Sequence, residues 1–199
     1  RDGVVFSHEE VNWPVLCCVL HAIGASERSR KVVLDFGGGL GSFYRQHQRF
    51  FEGIDLRWCV VETPELVAAG KEFSGEALRF FPSIGAVAEE FGKIDVALLS
   101  GVICYLPSVD GLFDEIEPRI PSIILSRSWE DDGMEDTYYV QRVTQGDEEF
   151  EVVFRLWGRD NLLRTLRERG FCLTVSEDEG EPIGINGRKD HEFNIASLA

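Results

Sequence analysis

A run of glycines after an apolar strand constrains this fold more than any other feature of the sequence. Residues 31–36 are β-branched and apolar and predict a buried strand, and residues 37–41 read Gly-Gly-Gly-Leu-Gly. Glycine lets the backbone turn tightly and pass close to a ligand, because no side chain would collide with it. Ser42 is then predicted to cap a helix that runs to Phe51. This order of strand, glycine-rich turn and helix is typical of folds that bind nucleotides at the carboxyl end of a parallel sheet.

Strand-like and helix-like segments continue to alternate after this turn, which predicts a doubly wound α/β fold with a mostly parallel sheet. Four further strands, expected to be buried on both faces, are predicted at residues 57–62, 78–81, 94–100 and 122–127. The helices between them are predicted at residues 63–73, 84–91 and 109–116. Thr63 suits the cap of the first of these helices, and Pro64 suits its first position.

A β-hairpin is predicted within residues 137–157, as an insertion into the sheet. Its strands are expected at 138–143 and 150–156 around Gly146-Asp147, and a helix capped by Asp160 follows. Its aromatic side chains are Tyr138, Tyr139, Phe150, Phe154 and Trp157. Such a hairpin suits either a cover over a site or a contact between two subunits, so a homodimer stays one of two alternatives.

The chain ends in two further predicted strands, at residues 171–176 and 192–198. The last strand is expected to run antiparallel, because no crossover helix separates it from its neighbour. These two strands would complete a seven-stranded sheet.

Size and charge limit the classes of function. With 199 residues, 44% of them hydrophobic, the chain is predicted to form one domain over residues 1–199, with a helical segment at 1–30. Its 35 acidic and 20 basic residues give a net charge of −15, which argues against a nucleic-acid partner. The longest apolar run, residues 14–23, is about half of what a transmembrane helix requires, so no membrane span is expected. Five cysteines without paired spacing favour a reduced, cytoplasmic setting.

The spacing of the glycines discriminates between cofactors. A dinucleotide fingerprint would require glycine in place of Ser42 or Tyr44, and a Walker-type phosphate loop would require a Gly-Lys-Ser or Gly-Lys-Thr after the glycines. Both kinds of nucleotide loop are therefore excluded. The pattern D-x-G-x-G-x-G is instead satisfied by Asp35, Gly37, Gly39 and Gly41.

An acid stands at the end of the second predicted strand. Glu62 lies 21 residues beyond Gly41, where a carboxylate can accept hydrogen bonds from both hydroxyls of a ribose. The alternative is that the glycines only make a tight turn and that Glu62 caps a helix.

These motifs resemble those of class I S-adenosylmethionine-dependent methyltransferases, whose motif I has the D-x-G-x-G-x-G pattern. Segments 34–42, 58–62, 80–84 and 99–106 follow one another in family order. The chain is similar to a bacterial methyltransferase family associated with surface-polysaccharide gene clusters, those of O-antigen and lipopolysaccharide. Where that family has Thr-Pro after Arg127, this chain has Ser-Trp.

The resemblance implies a Rossmann-like methyltransferase sheet, S-adenosylmethionine as cofactor, and O-methylation of a small molecule, a saccharide or nucleotide-sugar, in polysaccharide biosynthesis. The glycines would approach the methionine and ribose portions, Glu62 the ribose, Ser83 the adenine and Ser100 the methionine end, while Asp35 would orient the amino group directly or through water. The implied cofactor-binding residues are Asp35, Gly37, Gly38, Gly39, Gly41, Glu62, Thr63, Ser83 and Ser100.

Catalytic residues are harder to assign, because methyl transfer from a sulfonium requires alignment in a water-poor pocket more than a dedicated group. A sugar hydroxyl would benefit from a general base. The candidate catalytic residues are Tyr105, Arg127 and His191. Arg127 could pair with a phosphate or carboxylate of an activated sugar, or form a salt bridge with a nearby acid. The other three histidines, for which an exposed or core position is favoured, are His8, His21 and His47.

An acidic segment at residues 130–136 is expected to be plainly solvated. Its acids could also hold a divalent cation, but no metal is predicted; they are Asp131, Asp132, Glu135 and Asp136. Two alternatives to an active methyltransferase are weighed. A nicotinamide-dependent oxidoreductase fails the glycine spacing, whereas a non-catalytic binding or scaffolding protein with the same fold stays open.

Overall fold

The computed structural model describes residues 11–116, 120–128, 130–131, 134–145, 148–178, 183–185, 188–191 and 194–198. Its helices and strands, in chain order, are α1 (Trp13–Ala25), β1 (Lys31–Phe36), α2 (Ser42–His47), β2 (Leu56–Val61), α3 (Pro64–Gly70), β3 (Leu78–Phe81), α4 (Ile84–Phe91), β4 (Val96–Ser100), α5 (Asp110–Ile116), β5 (Ile123–Ser126), β6 (Glu130–Asp131), β7 (Thr137–Gln145), β8 (Glu148–Gly158), α6 (Arg159–Glu168), β9 (Leu173–Asp178), β10 (Ile183–Ile185), β11 (Arg188–His191) and β12 (Asn194–Leu198). Short 3₁₀ turns cover Gln48–Phe51, Lys71–Phe73 and Ile103–Tyr105.

Five parallel strands form the centre of the main sheet, in the order β3-β2-β1-β4-β5. The predicted α/β fold with a mostly parallel sheet is confirmed. Beyond β5, the sheet continues with β12, which is antiparallel to both β5 and β9. Because β2 and β3 lie on one side of β1 while β4 and β5 lie on the other, the chain reverses direction across the sheet between β1 and β4. Ligands of open α/β sheets bind in the crevice outside the carboxyl ends of the strands at such a point.

The central strands are buried on both faces, as their continuous apolar sequences predict. Along β1, Val32 and Leu34 contribute to the core under α4, α5 and α6, while Val33 contributes to the core under α1 and α2. Trp58 of β2 is fully buried in this second core. Helices therefore cover both faces of the sheet, and the ends of its strands are available to bind a ligand. Among the helices of the described part of the chain, none is both long and apolar enough to cross a bilayer.

Two helix caps differ from the predictions, and a third has the predicted residues without a side-chain capping bond. Ser42 is the first residue of α2, and Gly41 precedes it as the cap, in a left-handed conformation with φ of 74°. Thr63 does occupy the cap of α3, with Pro64 at its first position, but its side chain makes no capping bond. The cap of α6 is Gly158, so Asp160 lies within the first turn instead, where the helix dipole stabilises a carboxylate.

The inserted hairpin is confirmed, and its strands are longer than predicted. β7 and β8 pair antiparallel, with Tyr139 opposite Phe154, and the predicted turn at Gly146-Asp147 falls outside the described residues. Phe154 and Leu156 pack against Cys104 in the turn after β4, joined by Tyr139. The hairpin is thus attached to the carboxyl edge of the sheet. The opposite face of the hairpin exposes apolar side chains of Tyr138, Val140 and Val153.

The acidic segment is not simply solvated, and that expectation is wrong for two of its residues. Asp136 accepts hydrogen bonds from Arg155, from Gly158 N at 2.9 Å and from Asn161 Nδ2 at 2.8 Å. Burial alone would raise the pKa of Asp136, but these bonds outweigh it and lower the pKa. Glu130 is 5% exposed, because β6 pairs with the buried end of β8 beside Trp157.

Burial raises the pKa of Glu130 to about 7, against the lowering influence of Arg159, whose Nε lies 3.9 Å away. The ordinary pKa of this group is 4.5. Between pH 4.5 and 7 the folded protein therefore holds a proton that the unfolded chain has released, so the free energy of unfolding decreases as the pH rises through this range. Glu130→Gln, which cannot ionise, should therefore gain roughly 2–3 kcal/mol relative to the wild type between pH 4 and pH 8. Urea unfolding at both pH values measures this difference. The exposed Glu135→Gln is the control, and an equal pH response in all three proteins would contradict the prediction.

Candidate functional site

The glycine loop follows β1 and depends on left-handed backbone conformations. Gly37, Gly39 and Gly41 have φ of 71°, 58° and 74°, which other residues adopt only with strain. A β-carbon at Gly37 would lie 2.9 Å from Val102, and one at Gly41 would lie 2.9 Å from Leu78. Neither Gly37 nor Gly41 therefore has room for a side chain at the end of β1.

Glu62 fastens this loop to the end of β2. Its Oε1 accepts a hydrogen bond from Gly39 N at 3.0 Å, and its Oε2 accepts one from Thr63 N at 2.9 Å. A carboxylate has about four acceptor positions, so two positions remain for further donors. Thr63 takes part through its backbone, since the predicted capping bond of its side chain is absent. Glu62 is half-buried at the carboxyl edge of the sheet.

Asp35 supports the loop from below. Its carboxylate is 2% exposed and accepts a hydrogen bond from Trp58 Nε1 at 2.9 Å. A β-carbon on Gly38 would lie 2.5 and 2.7 Å from the two carboxylate oxygens, so Gly38 passes directly over Asp35. The sequence analysis did not identify Trp58. The available signal was a buried acid and a buried indole on adjacent strands, each of which requires a partner.

Ser83 and Ser100 lie at the ends of the neighbouring strands. Ser83 follows β3 and caps α4, accepting a hydrogen bond from Ala86 N at 3.1 Å. Ser100 ends β4, and its Oγ lies 3.4 Å from Ser126 Oγ at the end of β5. Together with the glycine loop and Glu62, the two serines share the carboxyl edge of the parallel sheet. The structure thus brings all nine predicted cofactor-binding residues to this edge or directly beneath it.

The three candidate catalytic residues are in different environments. Tyr105 lies in the turn after β4, 42% exposed, with its ring 5.8 Å from that of Phe154. Burial is the main cause that raises the pKa of its phenol, so Tyr105 keeps its proton near neutral pH and is poorly suited to accept another group's proton. Arg127 follows β5 directly and is exposed. His191 ends β11, which pairs with β10 in a two-stranded sheet separate from the main sheet.

His47 is a structural residue. It is fully buried, its Nδ1 lies 2.8 Å from Phe43 O, and its Nε2 accepts a hydrogen bond from Asn12 N at 3.0 Å. Burial is the main cause that lowers its pKa, which agrees with a neutral ring that carries its proton on Nδ1. His21 is exposed on α1, and His8 lies outside the described residues.

Cysteine and metal chemistry find no support in the residues described. Burial raises the pKa of Cys59 and Cys104 to about 12, which keeps both thiols protonated. Within the described ranges, no group of three histidine, cysteine or acidic side chains is arranged to hold a metal ion. Of the acids considered for a cation, Asp132 lies outside these ranges, and Asp136 is engaged by Arg155 and Asn161.

Comparison with solved structures identifies the fold. The glycopeptide N-methyltransferase MtfA with S-adenosylhomocysteine has a TM-score of 0.60 and 14% identity, over 100% of this chain and 92% of that one. The 1,6-didemethyltoxoflavin-N1-methyltransferase of Burkholderia thailandensis, with its substrate and S-adenosylhomocysteine, has a TM-score of 0.59 and 21% identity, over 96% and 79%. The chain has the fold of these methyltransferases.

A third solved structure, the N-terminal domain of EvdMO1 with S-adenosylhomocysteine, has a TM-score of 0.57 and 16% identity, over 95% of this chain and 80% of that one. No model of a known protein family matches the chain. None of the curated proteins matches its sequence. At these identities the comparisons establish the fold alone.

The contact between Gly38 and Asp35 predicts the effect of one methyl group. Gly38→Ala should destabilise the protein by about 1–3 kcal/mol, because the new β-carbon overlaps the carboxylate held by Trp58. Gly24→Ala is the control, since a β-carbon there meets nothing within 4 Å in α1, and it should stabilise the protein slightly. Urea unfolding compares the two variants. Equal stability of both would mean that Asp35 does not support the loop.

Proposed function

We propose that this chain is an S-adenosylmethionine-dependent methyltransferase that acts on a small molecule. The observation that carries the proposal is the carboxylate of Glu62, which is bonded to the backbone of the glycine loop and retains acceptor positions at the end of β2. A ribose lying along the loop could donate its two hydroxyls to these positions. MtfA, whose fold is similar, has been crystallised with S-adenosylmethionine, S-adenosylhomocysteine and sinefungin.

The residues present fit this cofactor. Gly37, Gly39 and Gly41 carry no side chain that would obstruct the ribose and methionine portions, and Ser83 stands beyond β3, where the adenine would lie. Ser100, at the carboxyl end of β4, would lie under the methionine end. Asp35 would act on the amino group through the loop rather than by direct contact, because Gly38 covers it. The order β3-β2-β1-β4-β5-β12-β9, with β12 antiparallel, agrees with the seven-stranded sheet that the resemblance implies.

The cofactor, when bound, supplies an electrophilic methyl group, and the protein has to align an acceptor with it and exclude water. The turn after β4 provides an apolar wall for this purpose, formed by Tyr105 and by Phe154 and Tyr139 of the hairpin. We therefore favour the hairpin as a cover over the site rather than as a subunit contact. Tyr105 contributes packing rather than proton transfer, since its pKa is raised.

A saccharide or nucleotide-sugar, methylated on oxygen, is our proposed acceptor. It rests on the resemblance to the polysaccharide-associated family, and the N-terminal domain of EvdMO1, similar in fold, was crystallised in the presence of S-adenosylhomocysteine and D-fucose. The second candidate is a non-catalytic binding protein of the same fold. It is favoured by the high pKa of Tyr105 and by the structural role of His47, which leave neither side chain suited to act as a general base.

Glu62→Gln tests the cofactor assignment. The wild type should bind S-adenosylhomocysteine and not NAD, and the variant should bind S-adenosylhomocysteine roughly ten- to a hundredfold more weakly, because the ribose hydroxyls lose a charged acceptor. Isothermal titration calorimetry measures both affinities.

Glu65→Gln is the matched control, since Glu65 is exposed in the first turn of α3, three residues further along the chain. It should leave the affinity unchanged. Failure of the wild type to bind S-adenosylhomocysteine would contradict the proposed function. Unchanged affinity in Glu62→Gln would contradict the role of Glu62.

A further inference from the structure

Arg127 has an unusual backbone conformation at the edge of the site. Among the residues that the structure describes, it is the one non-glycine with positive φ, at 52°. An L-residue is strained there, and strain of this kind persists only where the surrounding structure enforces it. Arg127 directly follows β5, so the strain is located where that strand leaves the sheet.

This conformation turns the guanidinium back over the end of β4. Nε of Arg127 lies 3.3 Å from Ser100 Oγ, and Nη2 lies 3.5 Å from Ser100 O. Both hydrogen bonds are long and therefore weak. Gly101, the residue after β4, leaves the space that the guanidinium occupies, since a β-carbon there would lie 3.2–3.3 Å from its atoms.

The guanidinium and the glycine loop contact two consecutive residues, Gly101 and Val102. Val102 packs on Gly37, since a β-carbon placed on Gly37 would lie 2.9 Å from it. Burial raises the pKa of Tyr105 and of Cys104, and the positive charge of Arg127 opposes this rise in both. The cation therefore lies beside the aromatic wall of the turn. An exposed positive charge is thus held at the carboxyl edge, in a chain whose net charge is −15.

We propose that Arg127 binds a carboxylate or phosphate group of the methyl acceptor and thereby selects anionic acceptors. A guanidinium is suited to this task, because its planar fork of N–H donors matches two oxygens of either group. The strained backbone points the fork across the end of β4 rather than along β5. The inference rests on the proposed function, since it assigns Arg127 to the acceptor of that same site.

Inorganic phosphate is the probe for this assignment, added with and without saturating S-adenosylhomocysteine. In ¹⁵N spectra of the arginine Nε–H groups, the signal of Arg127, assigned by its loss in Arg127→Lys, should shift and saturate. Isothermal titration calorimetry should show that Arg127→Gly binds phosphate about tenfold more weakly than the wild type, or not at all. Its unfolding temperature should be equal or higher, because glycine adopts φ of 52° without strain. Arg164→Gln, an exposed change on α6, should behave as the wild type.

Two results would overturn the proposal while leaving the cofactor assignment intact. One is phosphate binding that is absent, or unchanged in Arg127→Gly, in a protein that binds S-adenosylhomocysteine. The other is weaker binding of S-adenosylhomocysteine by Arg127→Gly with unchanged binding of 5′-methylthioadenosine, which would assign Arg127 to the carboxylate of the cofactor. A wild type that binds no S-adenosylhomocysteine would overturn both proposals.

Discussion

Two carboxylates hold the glycine loop, and the rest of the site depends on them. Asp35 lies beneath the loop, in contact with Gly38, and Glu62 accepts the backbone N–H of Gly39 from the side. A glycine-rich segment loses much conformational freedom on folding, so it holds one shape only if its neighbours enforce it. Asp35 and Glu62 therefore enforce the shape of the loop through contacts within the protein.

The sheet decides which side chains can reach this loop. Since β1 and β4 are adjacent while their connections run to opposite sides, the strand ends on either side of the loop open a crevice. Glu62 stands on the β2 side of this crevice, and Ser100 and Arg127 stand on the β4 and β5 side. The two sides have opposite charge, which suits a cofactor ribose at one and an anionic acceptor at the other.

The hairpin adds an apolar wall to the β4 and β5 side of the crevice. Asp136 accepts hydrogen bonds from Arg155, Gly158 and Asn161, and these bonds hold the base of the hairpin against the start of α6. Arg155 also stacks over the ring of Trp157, 3.4 Å from its centroid. With its base held in this way, the hairpin keeps Phe154 against Tyr105 and gives the turn after β4 an apolar wall.

By itself, the sequence determined the strands, the glycine loop and the position of Glu62, because these follow from local patterns of apolar residues and glycines. β1, β3 and α4 begin and end where those patterns predict. The tertiary structure alone decided the partners of the buried acids, because Trp58 meets Asp35, and Trp157 lies beside Glu130, only through pairing between strands. It also decided the direction of Arg127, since a left-handed arginine is disfavoured by local preference and is held there by the neighbouring strand and the space above Gly101.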